Sequence, residues 1–218
     1  VKVIDLGADF RLDDSTIYEK WYKVKHEFPN INKSAIYGLP EIYKEEIRKS
    51  KIISSPGCYP TSAILGVAPL LKHNLVNTKK IVVDSKSGVS GAGRNAKVDL
   101  IFTEVNENFK AYNVLQHRHT PEIKQEMDKL CNSNINLVFT PHLLPINRGI
   151  LSTIYLDVKE ELKEEISEEK IYKLYKEFYK NEHFVRITED LPEIKNIKNS
   201  NICEIGIRYD REYGNIVV

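Results

Sequence analysis

"SSPGCYPTS", residues 54–62, is the stretch on which the reading of this chain turns. It sets Cys58 between a proline-glycine turn and a Tyr59-Pro60-Thr61 run, after which the chain becomes apolar in Ala63-Ile64-Leu65. With a buried helix running from about Thr61 to Leu71, Cys58 lies just ahead of the helix start. Unpaired backbone N–H groups and the macrodipole favour an anion there. A thiol attacks only as thiolate, and a free cysteine has a pKa of about 8.5, so a nucleophile needs such a field. Gly57 permits the tight turn, and the same N–H groups can hold an oxyanion on a bound carbonyl. The competing reading is a buried filler, because cysteine packs as a small hydrophobe. Cys131 at a helix end and Cys203 in an alternating strand lack this setting and read as structural.

Outward from that stretch, strands alternate with helices. "VKVID" and "KIISS" read as short strands, and Ser15 to about Lys25 reads as a surface helix with Ile17, Trp21 and Val24 on its apolar side and Asp13, Asp14 or Ser15 as N-cap. Pro40 starts another helix, "KKIVVDSKSG" is a strand, and "INLVFTPHLLPINRGILSTIYLDVK" gives two more around a proline-bounded connection. Thr120 as N-cap, Pro121 behind it and an Ile123, Met127, Leu130 stripe predict a helix after residue 119. Ser167 caps one more, and "ICEIGIRYD" returns through Tyr213-Gly214-Asn215 as a hairpin. The pattern is that of an α/β or α+β domain.

Composition excludes several functions. Lys plus Arg is 32 against 31 Asp plus Glu, a net charge of +1 without charged blocks, which argues against nucleic acid or a membrane surface as partner. Three widely spaced cysteines without a CxxC pair predict neither a disulfide framework nor a metal site, and fit a reducing cytoplasm. No apolar run reaches membrane-span length and no signal-peptide pattern opens the chain. Val1 already lies inside a strand-like run and "NIVV" ends the chain, so the sequence reads as an excised piece of a longer polypeptide.

A nucleophilic cysteine needs a base, and "QHRHTPE" holds two histidines. In an extended segment His117 and His119 point to one side and Arg118 to the other, with Glu122 in the first helical turn able to orient a ring. His26, His73 and His183 read as surface or satisfied core residues, and His142 stays undecided. In "SGVSGAGRN" the glycines Gly88, Gly91 and Gly93 break the G-x-G-x-x-G order of the dinucleotide fingerprint. The stretch reads as a loop offering Ser87, Ser90, backbone N–H groups and Arg94 to phosphate or carboxylate, or simply as a flexible loop.

Taken together, "VIDLGADFRL", "YGLPEI", "SPGCYPTSAILGVAPL", "DSKSGVSGAGR", "HRHTPEI" and "TPHLLPINRGIL" resemble the N-acetyl-gamma-glutamyl-phosphate reductase family of arginine biosynthesis. These motifs cover most of residues 3–151, and the likeness thins beyond Val158 to "SNICEIG" and "GNIVV". The resemblance implies an α+β fold: a catalytic domain of the glyceraldehyde-3-phosphate and aspartate-semialdehyde dehydrogenase type, a mixed sheet with helices, plus the tail of a Rossmann domain. Residues 1–57 would be the C-terminal part of the NADP-binding domain and 58–218 the catalytic and oligomerisation domain. The family's glycine-rich nucleotide loop would precede "VIDLGADFR", and a closing helix would follow "GNIVV".

By the same resemblance, Cys58 attacks the acyl phosphate of a small-molecule substrate and NADPH reduces the resulting thioester to the semialdehyde. His117 or His119 is the acid/base, with His117 preferred because His119 abuts the positive end of a helix. Glu122 would orient the histidine; Ser87, Arg94 and Arg118 would contact substrate phosphate or carboxylate, and Ser87 with Gly88 the cofactor. No metal is implied, and the subunits would form a homodimer or homotetramer. Gly7 stands where the family usually has serine, which puts a cofactor-side contact in question, whereas Ser62 is one small residue for another. Arg148-Gly149 is followed by Ile150, not by the histidine of the aspartate-semialdehyde relatives, so the base must come from elsewhere. Two alternatives remain. One is the homologous aminoadipyl-phosphate reductase of lysine biosynthesis, whose extra methylene is worth only roughly 1–3 kcal/mol in a pocket. The other is an inactive dimerising fragment.

Overall fold

The computed structural model describes residues 1–218. Strand β1 (Val3–Asp5) leads through a turn to helix α1 (Ser15–Tyr22), the single turn α2 (Pro29–Asn32), β2 (Ala35–Tyr37), helix α3 (Pro40–Lys49) and β3 (Ile52–Ser54). The three strands form a parallel sheet in the order β1-β3-β2. Asp5 and Tyr37 both lie level with Ser54, so the C-terminal ends of the strands share one edge. From that edge project the turn through Arg11, Gly38 with Leu39, and the Ser55–Gly57 turn.

Asp14 is the N-cap of α1, accepting from the Thr16 N–H at 2.8 Å. The expected apolar side differs: Ile17 and Val24 are exposed, and Tyr18 is the buried residue. Its hydroxyl donates to Asp9 at 3.0 Å and its ring stacks on Tyr22, which turns the helix about its axis away from the expected face.

After Gly57 come α4 (Cys58–Lys72), β4 (Ile81–Gly88), the short α5 (Phe102–Val105), β5 (Lys110–Ala111), α6 (Thr120–Cys131), β6 (Leu137–Leu144) and β7 (Ile150–Asp157). Then follow α7 (Glu168–Phe178), β8 (Val185–Thr188), the single turn α8 (Ile194–Ile197), β9 (Cys203–Gly206), β10 (Arg208–Asp210) and β11 (Asn215–Val217). A six-stranded mixed sheet runs β10-β11-β7-β4-β6-β5, with β4 and β6 parallel and every other neighbour antiparallel. β8 and β9 form a separate parallel pair. The expected mixed sheet with helices is what the chain builds. No helix is long and apolar enough to cross a membrane.

The core lies between the sheet and α4. Along β4 the side chains of Ile81, Val83, Ser85 and Ser87 are buried at every second residue, the period of a strand with one covered face. Helix α4 is buried at every residue from Ala63 to Leu71, and α6 adds Ile123 and Met127 beside it. Tyr175 and Tyr179 of α7 reach across and donate to the carbonyls of Gly66 and Leu65 at 2.5 and 2.6 Å, satisfying two buried hydroxyls. Two boundaries differ from expectation. Helix α4 starts at Cys58 with Gly57 as N-cap, because the Gly57 carbonyl already accepts the Thr61 N–H at 3.0 Å. Helix α6 has His119, not Thr120, at its N-cap, and no side chain caps it.

Ile123 is wholly buried, whereas Val98 is 77% exposed. Ile123→Ala is expected to cost about 2–5 kcal/mol in urea unfolding, and Val98→Ala to stay within about 0.5 kcal/mol; equal losses would misplace the core.

Candidate active site

Cys58 is the first residue of α4, which starts three residues earlier than the expected Thr61, and it is exposed. Protein packed around the rest of the side chain strips water from the sulfur and pushes its pKa up. The N–H groups of Tyr59 and Cys58 pull it down, followed by the charge of Arg11. Burial wins, so the expectation of a field strong enough for a resting thiolate is not met. The sulfur rests as a thiol at neutral pH, and a base must take its proton. Cys203 is pushed up to about 12 by burial, and the Cys131 thiol donates to the Met127 carbonyl at 3.2 Å within its own helix, the structural roles expected of both.

The segment leading into α6 is a turn, yet it brings the two imidazoles together as expected, with ring centres 4.8 Å apart. Arg118 leaves on another side, its guanidinium 5.2 Å from the Tyr22 ring centre. Tyr59 and Phe139 wall in His117 at 5.6 and 5.5 Å, edge to face. Burial lowers the His117 pKa to about 4 and that of His119 to about 3, so both rings are neutral at pH 7. Their nitrogens differ. The Nδ1 of His117 accepts the His119 backbone N–H at 3.1 Å, which puts the His117 proton on Nε2 and leaves that ring without a free acceptor. His119 has a buried Nδ1 with no partner, and its Nε2 lies against Gly57: a Cβ added there would stand 2.5 Å from it. The imidazole beside it, and not the turn, therefore asks for glycine at 57, whose backbone (φ −67°, ψ 154°) any residue adopts. Of the two rings, only His119 keeps a nitrogen without a hydrogen-bond partner to accept a proton.

Glu122 does not orient either imidazole. It is 1% exposed, and its Oε1 accepts the Gly57 N–H and the Tyr37 hydroxyl, each at 2.8 Å. Its Oε2 faces Arg11 at 3.6 Å. The reason is geometric: Glu122 lies on the side of α6 packed against the sheet edge where β2 and β3 end. Arg11 also donates to the Ser55 carbonyl at 2.7 Å. Sequence reading passed over Arg11 and Tyr37 although both lie in quoted motifs, because their partner Glu122 is remote in sequence and nothing local marks the pairing.

A cleft of about 480 Å³ is lined by Arg11, Tyr22, Tyr112, His117, Arg118 and His119 together with Lys97, Asp99 and Lys110. Cys58 opens on the neighbouring groove, bounded by Thr61, Ser62 and residues 149–154. The first N–H groups of the glycine loop are already paired. The N–H groups of Gly88, Val89 and Ser90 are bonded to the carbonyls of Gly149, Ile146 and Asn147 at 2.9, 2.9 and 3.1 Å, and the Ser87 hydroxyl donates to Gly88 O at 2.9 Å. The β6–β7 connection thus takes the Gly88 N–H and the Ser87 hydroxyl is turned to its own neighbour, while Gly91 and Ala92 of the same loop line the cleft. Arg94 is exposed and lines neither cavity, so it is not brought to the site. His142 pairs with Asp84 at 3.0 Å on the other face of the sheet, and His26 is buried with Nε2 2.6 Å from the Asp9 carbonyl.

An exposed cysteine thus opens a helix packed on a mixed sheet, with a neutral histidine against the glycine that precedes it. Residues 58–218 match the family described as "Semialdehyde dehydrogenase, dimerisation domain", and the chain belongs to that family. Within it, the chain is 52% identical over its whole length to the N-acetyl-gamma-glutamyl-phosphate reductase of Pelotomaculum thermopropionicum, and spans 62% of that protein. The resemblance read from the motifs is thus borne out. Among solved structures, aspartate semialdehyde dehydrogenase II from Vibrio cholerae shares the fold, with a TM-score of 0.67 at 17% identity over all of this chain and 65% of that one. Aspartate semialdehyde dehydrogenase with NADP from Candida albicans does so with a TM-score of 0.57 at 12% identity, over 85% of this chain and 62% of that one.

His117 and His119 have folded-state pKa values below the unfolded value of about 6.5. The unfolded chain therefore takes up protons first as pH falls, and stability present above about pH 6.5 is lost on the way down to about pH 4 for His117 and about pH 3 for His119. The melting temperature is expected to drop between pH 7 and 5, and to drop less in His119→Asn; superimposable profiles would contradict the buried neutral ring.

Proposed function

We propose that the protein carrying this chain reduces N-acetyl-L-glutamyl 5-phosphate to N-acetyl-L-glutamate 5-semialdehyde with NADPH, in arginine biosynthesis. One observation carries the reading: an exposed thiol opens α4 while a neutral imidazole with a free nitrogen lies against the residue before it. The cleft beside that imidazole is lined by Arg11, Lys97, Lys110 and Arg118 against Asp99 alone, an excess of positive charge that suits a substrate with a phosphate and a carboxylate.

In this reading His119 takes the Cys58 proton as the sulfur attacks the acyl carbon. The developing oxyanion meets the N–H groups at the start of α4. Phosphate leaves with the bonding pair of the broken C–O bond, and a thioester remains on Cys58. Arg118 holds an anionic group of the substrate. His117, donating from Nε2, keeps the neighbouring ring in place and adds a hydrogen bond to the cleft. The N–H groups of Gly88, Val89 and Ser90 are committed, so a cofactor phosphate at this loop would be met by its later residues, of which Gly91 and Ala92 line the cleft. When bound, NADPH supplies the hydride that turns the thioester into the semialdehyde, and protonated His119 returns its proton as the thiol is released.

The start of the family match at Cys58 supports a division in which residues 1–57 complete a nucleotide-binding domain and residues 58–218 form the catalytic and oligomerisation domain of a cytoplasmic homodimer or homotetramer. The homologous aminoadipyl phosphate is the competing substrate. In steady-state assays of the protein with both acyl phosphates, the N-acetylglutamyl compound is expected to have the higher kcat/KM. Cys58→Ser or His119→Asn should lower kcat by about 10²–10⁴, and His117→Asn by less than about tenfold. A preference for the longer substrate, or a larger loss at His117 than at His119, would contradict the assignment.

A further inference from the structure

We propose that Glu122 and Arg11 together form a positioning device for Cys58: the carboxylate grips the Gly57 N–H so that the next two N–H groups stay turned to the sulfur, while the guanidinium cancels the carboxylate's charge. The inference rests on Cys58 being the nucleophile and adds the pair that presents it. Three features carry it. The bond from Gly57 N–H to Glu122 Oε1 is 2.8 Å and buried, and Gly57 is the N-cap of α4, so the carboxylate satisfies an N–H at the start of the helix whose later N–H groups serve Cys58. Arg11 bridges the turn from the other side, donating to the Ser55 carbonyl at 2.7 Å and facing Glu122 Oε2 at 3.6 Å. Finally, the His119 ring leaves no room for a Cβ at Gly57, so this peptide is held on three sides.

The two charges act on the sulfur with opposite sign. Arg11 favours the thiolate and Glu122 opposes it. A carboxylate placed there alone would hinder the nucleophile, whereas paired with Arg11 it orients the turn at little electrostatic cost. Glu122 Oε2 is buried without a hydrogen bond, so the guanidinium is its compensation. The groups facing Glu122 are Arg11 from the turn after β1, Tyr22 from α1, Tyr37 at the end of β2, and Glu126 on α6 itself, with Arg118 and His119 from the turn before α6 completing the surround of the cleft. Helix α6 holds the Arg11 segment further through Gln125, whose amide donates to Arg11 O at 3.0 Å and accepts the Asp13 N–H at 2.8 Å.

The test is the pH dependence of Cys58 alkylation by iodoacetamide in a Cys131→Ser, Cys203→Ser background, followed by mass spectrometry. Arg11→Met should raise the titration midpoint and slow the reaction at neutral pH about tenfold, the equivalent of one pKa unit. Glu122→Gln, which keeps an acceptor for Gly57 and removes the charge, should lower the midpoint. Arg11→Lys and the double variant Arg11→Met, Glu122→Gln should stay near the parent. Amide exchange at Gly57 should remain slow in Glu122→Gln and become fast in Glu122→Ala. If Glu122→Ala does not fold, the charge variants still decide the matter. A loss of structure alone would move Arg11→Met and Glu122→Gln in the same direction, and that outcome overturns the pairing, as does unchanged Gly57 exchange in a folded Glu122→Ala. An unreactive Cys58 in the parent overturns the nucleophile assignment as well, whereas a reactive Cys58 with shifts of the wrong sign overturns only the positioning pair.

Discussion

A single buried hydrogen bond, from the Gly57 N–H to Glu122, ties together the parts on which the site depends. On one side of it lies α4, whose buried length anchors Cys58 to the core; on the other lies α6, which carries His119 at its N-cap. Tyr37 binds the same carboxylate oxygen, so the edge of the small parallel sheet is fastened at that point too. Burying a carboxylate is costly unless it is paired, and Arg11 supplies the charge. Polar fastening at the centre of an apolar junction gives one arrangement of cysteine, glycine and histidine. Apolar contact alone would allow several.

For the proposed reaction, the electrostatics of this junction would set the order of chemical events. A thiol pushed up by burial and an imidazole pushed down by burial are both uncharged at neutral pH. In the proposed reaction, proton transfer between them creates an ion pair, which would become favourable as an anionic acyl phosphate brings its own charge to the cationic cleft and the sulfur begins to bond to carbon. Keeping the sulfur as a thiol between turnovers also limits its loss to oxidation, which follows thiolate character. The His117 ring, its Nδ1 already occupied, serves as a wall and a fixed donor, and so leaves proton acceptance to one group.

Much of this was legible in the sequence. The apolar run after "SSPGCYPTS" announces a buried helix, and a cysteine before it is a local signal of reactivity that needs no tertiary information. The strands with period-two burial and the Ile123-Met127 stripe were readable for the same reason. What could not be read were pairings between distant segments. Glu122 looked like an orienting partner for the histidines nearest in sequence, yet the helix turns it toward Gly57 and Tyr37. Ser87 and Gly88 were read as substrate and cofactor contacts, and no local pattern marks that the Gly88 N–H is taken by the distant Gly149 carbonyl. The Tyr18 face of α1 won over the Ile17 face through a hydrogen bond to Asp9 and a stacked Tyr22, interactions that hydrophobic spacing does not encode.

The central claim is that one sulfur carries the acyl group. Mixing the protein with N-acetylglutamyl phosphate in the absence of NADPH, quenching in acid and mapping the peptides by mass spectrometry tests it directly. The account predicts one N-acetylglutamyl group, labile to hydroxylamine, on the peptide containing Cys58. The same adduct on another residue, or turnover by a Cys58→Ser protein at the unmodified rate, would contradict it.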